Sequence, residues 1–302
     1  MIRTRSAKRF SQGQGVVLSI SIVSHGQLEL VHRLLRSLEA HRPQVPLRIL
    51  VTENRKRGRL VLDHRTDLDV ELTINPRRRG LAGNINSAFH LAMGKQRGAP
   101  DSDMPAPAGP SGGSPSRDIH PTSSDIAAGY FCVLNPDVVF VEDVFTPLIE
   151  DIRRGQGDIV APRVEDRTGR IQDSARPLPS PWTILGRRFT RSPGTLANLG
   201  DLPARPDWIA GLFLLMPSVL FRELGGMDER YFLYFEDVDF CLRARLRGYR
   251  LFVDKGVRVV HQARRASRRN PRHMGQHLAS AVRFFSSPVY REARRLPSPS
   301  QQ

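Results

Sequence analysis

The sequence predicts an α/β fold with an open, doubly wound and mostly parallel sheet and helices on both faces, and three observations support it. Residues 16–24 form a nearly continuous β-branched run, as expected for a strand that is covered on both faces. Apolar residues at helical spacing then run from Leu28 to Leu38 and stop before Pro43. Short apolar strands follow at 47–52 and 70–74, which repeats the strand–helix alternation. A sheet of this kind binds ligands beyond the carboxyl ends of its strands.

The remaining elements continue the pattern. We predict strands at residues 130–134, 158–163, 208–216, 251–253 and 257–260, and helices at residues 87–92, 144–152 and 218–224. A further helix ends at Arg247, and another carries Leu278, Val282, Phe284 and Phe285. Most of residues 177–207 is rich in Pro and Arg and is interpreted as loop.

Composition favours one large domain over residues 16–290. Residues 1–15 are basic and lack the apolar segment of a secretory signal, so we expect a disordered arm and a cytoplasmic protein. Residues 94–129 are rich in Pro, Gly, Ser and Asp and are expected to be a disordered insertion, and residues 291–302 a disordered tail. No apolar run is long enough to span a membrane. Cys132 and Cys241 lie in apolar runs and are expected to be buried thiols.

The chain is strongly basic. It has 46 Lys and Arg against 30 Asp and Glu, a net charge of +16, which implies attraction to an anionic partner. Nucleic acid, anionic lipid and nucleotide substrates all fit. Arg-rich surface without a specific partner is the simpler explanation of any single arginine.

Three carboxylates follow an aromatic segment at residues 231–235. Glu236, Asp237 and Asp239 open the helix that ends at Arg247. Carboxylates beside aromatic bulk lose solvation, which raises the pKa and suits one of them to act as a base. Acidic residues are also favoured in the first turn of a helix, where they bind free N–H groups. We expect one structural and one chemical carboxylate, and spacing does not tell which is which.

Three other polar sites have two interpretations each. Glycines at Gly80 and Gly83, beside three arginines and before a helix, present N–H groups suited to a diphosphate, or form an ordinary turn and cap. Residues 135–137 (Asn-Pro-Asp) end a central strand, where Asp137 can bind a divalent cation or simply make a turn. His261 ends a later strand as a polar cap or a metal ligand.

Taken together, these motifs resemble the family 2 glycosyltransferases of the GT-A fold, in the bacterial rhamnosyltransferase-like branch. The resemblance spans residues 16–261 without the insertion, and its most specific parts are residues 134–137 (LNPD) and 225–239 (GGMDERYFLYFEDVD). Residues 80–86 resemble the family's glycine- and asparagine-rich loop. Glu53-Asn54 stands where the family usually has Asp-Asn.

The resemblance implies a role for each matching residue on the donor side. Ser24 and Glu53 would lie near the nucleotide base and ribose. Asn84 and Asn86 would border the diphosphate and sugar, in the loop that contains Gly80 and Gly83.

The resemblance also implies the metal and the base. Asp137 and His261 would hold Mg²⁺ or Mn²⁺, with Asn135 where many relatives carry a first Asp. Asp237 matches the catalytic base.

The function implied is that of a metal-dependent, inverting hexosyltransferase that uses a nucleoside diphosphate sugar, with dTDP-rhamnose favoured. Its acceptor would be a glycan or a lipid-linked polysaccharide precursor, with possible peripheral contact with an anionic membrane and no nucleic acid partner. The alternatives are a glycoside hydrolase, a basic nucleic-acid-binding protein and a transferase-like scaffold that lacks activity. The chain carries no recognised helix-turn-helix, zinc finger or RNA-binding signature.

Overall fold

One large sheet organises the molecule. The computed structural model describes residues 3–5, 17–55, 67–94, 122, 129–183, 196, 198–262, 271–297 and 299. Across these residues the chain forms eleven strands: β1 Arg3–Arg5, β2 Leu18–Ser24, β3 Leu47–Glu53, β4 Val70–Ile74, β5 Tyr130–Leu134, β6 Val138–Phe140, β7 Ile159–Glu165, β8 Ala175–Arg176, β9 Trp208–Ile209, β10 Phe213–Pro217 and β11 Leu251–His261. The helices are α1 Leu28–Ala40, α2 Leu81–Ala92, α3 Phe145–Arg153, α4 Ser218–Glu223, α5 Glu236–Leu246, α6 Pro271–Ser286 and α7 Pro288–Ala293.

The strand order confirms a mostly parallel sheet with a mixed edge. Within the described residues the large sheet runs β1-β4-β3-β2-β5-β10-β7-β11-β6, and β8 pairs with β9 separately. Strands β4, β3, β2 and β5 are parallel, and so are β7 and β11, whereas β1, β10 and β6 run antiparallel to their neighbours. Parallel strands end at the same edge, so β2 to β5 bring the polar residues that follow them together.

A cluster of phenylalanines fixes α5 against the sheet. Phe131 of β5 contacts Phe89 of α2 and Phe221 of α4 at centroid distances of 5.1 and 4.8 Å. Phe221 in turn contacts Phe240 of α5 at 5.4 Å. All four side chains are buried. Each aromatic pair stabilises the fold by about 0.5–1.5 kcal/mol beyond the effect of its buried area. These contacts pack the helix that carries the three carboxylates against the sheet.

Several predicted boundaries were wrong. The strand predicted at 208–216 is two strands, β9 and β10, because the chain turns at residues 210–212. The strands predicted at 251–253 and 257–260 are one strand, β11, with a bulge between Asp254 and Arg258. Helix α2 begins at Leu81, so residues 81–86 are helix rather than loop. In the N-terminal arm, Arg3–Arg5 pairs with β4, and α7 extends three residues into the predicted tail.

Other expectations are confirmed or lie outside the described residues. Cys132 and Cys241 are free and buried, as predicted. The rest of the N-terminal arm, nearly all of the 94–129 insertion and residues 263–270 lie outside the described residues. Among the helices that are described, none combines the length and apolar character needed to cross a membrane.

Candidate active site

Two predicted metal ligands meet where β6 pairs with β11. His261 lies opposite Val138 in this antiparallel ladder, which places it beside Asp137, one residue before β6. His261 Nε2 lies 3.1 Å from Asp137 Oδ2, and the backbone N–H of Gln262 donates to the Asp137 carbonyl at 2.9 Å. Asp137 Oδ1 is buried and has no hydrogen-bond partner among the described residues. Since a buried carboxylate oxygen without a partner costs about 1–3 kcal/mol, this atom is prepared for a ligand.

Gln172 sets the orientation of the His261 ring. Its Nε2 donates to the His261 carbonyl at 3.1 Å, and its Oε1 lies 2.7 Å from Nδ1 of the ring. An amide oxygen is an acceptor, so Nδ1 carries a proton and Nε2 of the neutral ring presents its lone pair to Asp137. Two acceptors then face each other, and a proton or a cation between them is required. This is the arrangement in which a ligating histidine donates its other N–H to a partner.

The site offers few protein ligands. Within the part of the chain that the structure describes, no group of three or more His, Cys, Asp or Glu side chains converges as a metal cluster. Asp137 and His261 are the pair of described side chains that could hold a cation here. Oxygen-rich coordination completed by substrate phosphates is typical of Mg²⁺ sites.

The three carboxylates in the first turn of α5 have different hydrogen-bond partners. Asp239 is buried and accepts from Arg243 Nε at 2.7 Å, while the other two guanidinium nitrogens of Arg243 donate to the carbonyls of Leu224 and Gly226 at 2.5 and 2.8 Å. This pair holds α5 to the glycine turn that precedes the aromatic segment. Asp239 is the structural carboxylate that the sequence predicted without identifying it.

Asp237 is held as a carboxylate by two backbone donors. Its Oδ2 accepts from the N–H of Gly211 at 2.8 Å and its Oδ1 from the N–H of Val238 at 2.9 Å. Burial raises the pKa of Asp237, and the two N–H donors and the positive charge of Arg176 oppose this shift. The pKa of Asp237 is thus higher than that of an exposed aspartate, and the two N–H donors fix the orientation of its carboxyl group.

Glu236 is the carboxyl next to Asp237. It is 5% exposed, and its Oε2 is buried without a hydrogen-bond partner in the described structure. Burial, and then the charge of Asp237, raise the pKa of Glu236 from 4.5 to about 8. The pKa values of both carboxyls are raised, so Glu236 and Asp237 release their protons as an interacting pair.

A two-bond connection links Asp237 to the Asn-Pro-Asp turn. Gly211 donates to Asp237, and the next residue, Leu212, accepts from the backbone N–H of Asn135 at 2.9 Å. A Cβ at Gly211 would lie 3.1 Å from the Cβ of Asp237, so only glycine allows this approach without displacing the acid. The strand break at 210–212 thus brings the carboxylate of α5 beside the turn that carries Asp137.

The segment that leads into α5 is strained. Tyr234 and Phe235 have φ angles of 71° and 69°, and they are the only non-glycine residues with positive φ in the described chain. Such conformations cost about 1–3 kcal/mol each and persist only where the surroundings enforce them. Phe235 is the residue that precedes the first turn of α5, so the strain lies directly before Glu236 and Asp237.

The predicted donor-side residues form buried pairs. Ser24 Oγ donates to Glu53 Oε2 at 2.7 Å, and the N–H of Gly26 donates to Glu53 Oε1 at 2.9 Å. Ser24 and Glu53 are 0% and 1% exposed. The carboxyl ends of β2 and β3 are therefore joined at the edge where the sequence predicted a nucleotide. Their roles toward a ligand stay predictions.

The two asparagines of α2 are also bonded inside the protein. Asn84 accepts from Asn75 Nδ2 at 2.6 Å and donates to the Gly80 carbonyl at 2.9 Å. Asn86 accepts from the N–H of Met227 at 2.9 Å and donates to the Met227 carbonyl at 2.8 Å and to Glu229 at 3.1 Å. Asn86 therefore fastens the loop at 227–229 to α2.

The glycines at the start of α2 allow a close approach. A Cβ at Gly80 would lie 3.1 Å from the backbone of Phe232, and the N–H of Leu81 donates to the Phe232 carbonyl at 2.9 Å. A Cβ at Gly83 would lie 2.8 Å from Glu229 Oε2. The helix start and the aromatic segment are consequently packed together, although 145 or more residues separate them in sequence.

Sequence reasoning missed two functional residues. Gln172 lies in a loop without any motif, and only the fold reveals that it orients His261. Gly211 lies inside an apolar run, and its glycine was the one available signal that the run is interrupted.

Comparison with solved structures identifies the fold. A mannosyltransferase from Pyrobaculum calidifontis, solved in complex with GDP-Man and Mn²⁺, superposes with a TM-score of 0.53 at 14% identity and covers 92% of this chain and 68% of its own. The chain thus has the GT-A glycosyltransferase fold, as the sequence predicted.

Sequence comparison shows similarity to rhamnosyltransferases. No family model matches the chain. The N-acetylglucosaminyl-diphospho-decaprenol L-rhamnosyltransferase of Mycobacterium tuberculosis is 30% identical over 165 residues, which are 51% of this chain and 54% of that protein. The rhamnosyltransferase WbbL of Escherichia coli K12 is 26% identical over 279 residues, 88% of this chain and 92% of that protein. The chain thus spans about half the length of the mycobacterial relative, and the resemblance to rhamnosyltransferases is confirmed.

Proposed function

We propose that the chain is an inverting, metal-dependent glycosyltransferase that moves rhamnose from dTDP-rhamnose to a hydroxyl of a glycan or lipid-linked polysaccharide precursor. The relatives named above support the reaction class. The observation that carries the proposal is the hydrogen-bonded connection from the Asn-Pro-Asp turn through Gly211 to Asp237. It puts a prospective base and a prospective cation site on adjacent backbone.

Asp137 and His261 fit the divalent cation. The partnerless Asp137 Oδ1 and the facing acceptors described above are a donor set suited to Mg²⁺ or Mn²⁺. When bound, the cation would offset the charge that develops on the departing nucleoside diphosphate. The protein's own contribution is to hold both ligands through the β6–β11 ladder and Gln172, so that neither needs to reorganise.

Asp237 is the proposed base. A sugar hydroxyl becomes a good nucleophile only as its proton is taken, and a buried, oriented carboxylate can take it near neutral pH. The neighbouring Glu236 differs from it in geometry, because within the described residues no donor orients its Oε2, whereas two backbone N–H groups orient Asp237. Attack by the activated hydroxyl on the side opposite to the leaving diphosphate forms one C–O bond as another breaks, which inverts the anomeric centre.

The donor side completes the assignment. We place Ser24 and Glu53 at the nucleotide base and ribose, and the helix start with Gly80, Gly83, Asn84, Asn86 and the nearby Asn135 at the diphosphate and sugar. The polar side chains of β2, β3 and α2 are hydrogen-bonded to other protein groups. We therefore propose that they shape the donor site, and that backbone groups contact the donor.

The test is a transfer and binding assay with purified protein. dTDP-rhamnose with Mn²⁺ should raise the melting temperature, because a ligand that binds only the native state stabilises it, and the shift should vanish in EDTA. Asp137→Asn and His261→Asn should lose the Mn²⁺-dependent part of the shift and most of the transfer. Asp201→Asn, which alters an exposed carboxylate, is the matched control. A cation-independent shift of full size in both variants would overturn the metal assignment.

We also place the enzyme at an anionic membrane surface through the outer face of α6. Leu278 and Val282 are 65% and 63% exposed, one turn apart, and Arg283 beside them is exposed. An exposed apolar pair with an arginine beside it suits a surface of anionic lipid. Leu278→Ser with Val282→Ser should reduce sedimentation with phosphatidylglycerol vesicles and leave neutral vesicles unaffected. Equal sedimentation of the variant and the wild-type protein would refute this docking face.

A further inference from the structure

The strained residues before α5 are held by the inner face of a helix that comes later in the chain. Ser280 Oγ of α6 donates to the Leu233 carbonyl at 2.9 Å. The ring of His277 contacts those of Tyr234 and Phe235 at 4.9 and 5.5 Å. Phe284 stacks on Phe235 at 5.0 Å. Three side chains of α6 thus hold three consecutive residues, 233–235, that lead to Glu236 and Asp237.

The strained conformation of this segment is not favoured by the backbone itself. Helix α5 has no side-chain cap, and its preceding residue, Phe235, has the left-handed conformation that non-glycine residues avoid. The carbonyl of Phe235 accepts from the N–H of Asp239 at 2.9 Å, so relaxation of Phe235 would loosen the first turn. Relief of two positive φ angles, at about 1–3 kcal/mol each, would favour that relaxation.

We propose that His277 and Ser280 are positioning residues, which fix the direction of the Asp237 carboxylate by holding residues 233–235 and so keeping Tyr234 and Phe235 in their strained conformation. The inference rests on the proposed function, because it takes Asp237 as the base. Gly211 anchors the carboxylate at its oxygen atoms, and α6 anchors the backbone from which the carboxylate extends. Loss of either anchor displaces the acid, and a displacement of about 1 Å is enough to cost roughly 100-fold in rate.

Helix α6 has different surroundings on its two faces. The helix bears the strained segment on one face and exposes Leu278 and Val282 on the other. The proposed membrane-facing surface and the contacts with residues 233–235 therefore lie on different faces of the same helix. Positioning by α6 does not require lipid, and the two properties can be tested separately.

The experiment compares two disruptive variants with one that keeps a ring and with a control. Ser280→Ala and His277→Ala remove the hydrogen bond and the ring, His277→Phe keeps a ring, and Ser286→Ala removes a hydroxyl whose hydrogen bonds in the described structure lie within α6. We expect kcat of the two disruptive variants to fall about tenfold or more while the KM for the donor and its dissociation constant stay within twofold. His277→Phe should recover most of the rate, and Ser286→Ala should behave as the wild-type protein does.

A second readout keeps the inference testable if no donor is turned over. Amide hydrogen exchange of residues 234–239 should accelerate in Ser280→Ala and His277→Ala and not in Ser286→Ala, while the exchange of β2 and β5 stays unchanged. Unchanged exchange at 234–239 would overturn the positioning role, as would rates that fall only in proportion to folded protein. Absence of transfer by the wild-type protein with any donor, together with faster local exchange in the variants, would instead overturn the proposed function alone.

Discussion

Two polar regions of this molecule are built in opposite ways. On the proposed donor side, the side chains of Ser24, Glu53, Asn84 and Asn86 are buried and hydrogen-bonded to neighbouring protein groups. Around the proposed cation site and base, Asp137 Oδ1 and Glu236 Oε2 are buried and, within the described residues, have no such partner. Satisfied buried groups define a shape, whereas a buried oxygen without a partner lowers stability and is kept where a ligand or proton uses it.

The contrast also separates residues within one turn of helix. Asp239 bonds to Arg243 and connects α5 to the chain before it, while the hydrogen bonds of Asp237 to the described residues come from backbone N–H groups. Both residues are aspartates, so the difference between them comes from their hydrogen-bond partners. Predictions about this contrast can therefore be made with nearly identical substitutions.

The largest expected effect comes from replacing these two aspartates. Asp237→Asn should lower kcat by about 10² to 10⁴, the usual contribution of a general base, with donor affinity within a few fold and the melting temperature preserved. Asp239→Asn should leave Arg243 buried without its partner and lower the free energy of unfolding by about 3–5 kcal/mol. Steady-state kinetics and urea unfolding of both variants measure the difference. Equal loss of stability in both would erase the distinction between the two carboxylates.

A smaller effect tests the donor side. Asn86→Ala removes the bonds to both backbone groups of Met227 and should lower the free energy of unfolding by about 2–3 kcal/mol, because those buried groups lose their partner. If the side chain is structural, kcat per folded molecule should stay within a few fold. Ser87→Ala on the same helix, whose hydroxyl donates to the Gly83 carbonyl, is a milder control. Normal stability with abolished donor binding would show that Asn86 contacts the ligand directly.

The smallest expected effect is a pH dependence at Glu236. Because burial raises its pKa from 4.5 to about 8, the folded protein retains a proton here that the unfolded chain releases between those values. The free energy of unfolding contributed by this site therefore decreases as pH rises from about 4.5 to about 8. Glu236→Gln should remove that slope and raise the melting temperature by a few degrees at the alkaline end. Identical pH profiles of the variant and wild type, with exposed Glu29→Gln as control, would contradict it.

The sequence predicted the sheet well and the site in part, and the reason is distance along the chain. Strands such as β4 and β5 were predicted because β-branched and apolar runs carry their own signal. The pairing of Asp137 with His261 was expected only through the resemblance, since 123 intervening residues give no local pattern. Gly211 and Gln172 were not predicted because their partners, Asp237 and His261, are 26 and 89 residues away.

Helix α2 shows a different limit. Its first residues, with glycine at Gly83, were interpreted as loop because glycine disfavours helix by about 1 kcal/mol relative to alanine. The structure accepts that cost because Glu229 and Arg79 occupy the space that a side chain would need. Local propensity was therefore overruled by a neighbour from a distant part of the sequence.

The bulge in β11 ties the cation ligands to the length of one strand. Against β7 the register shifts by three residues between Asp254 and Arg258, after which Val260 pairs with Glu165 and His261 follows it. Side chains alternate between the two faces of a strand, so gaining or losing one residue within Lys255, Gly256 and Val257 would turn His261 away from Asp137. Val257 is buried in the core, so the constraint on this bulge is on both its length and its apolar residue. A deletion of one codon there would separate the two proposed cation ligands without changing either of them.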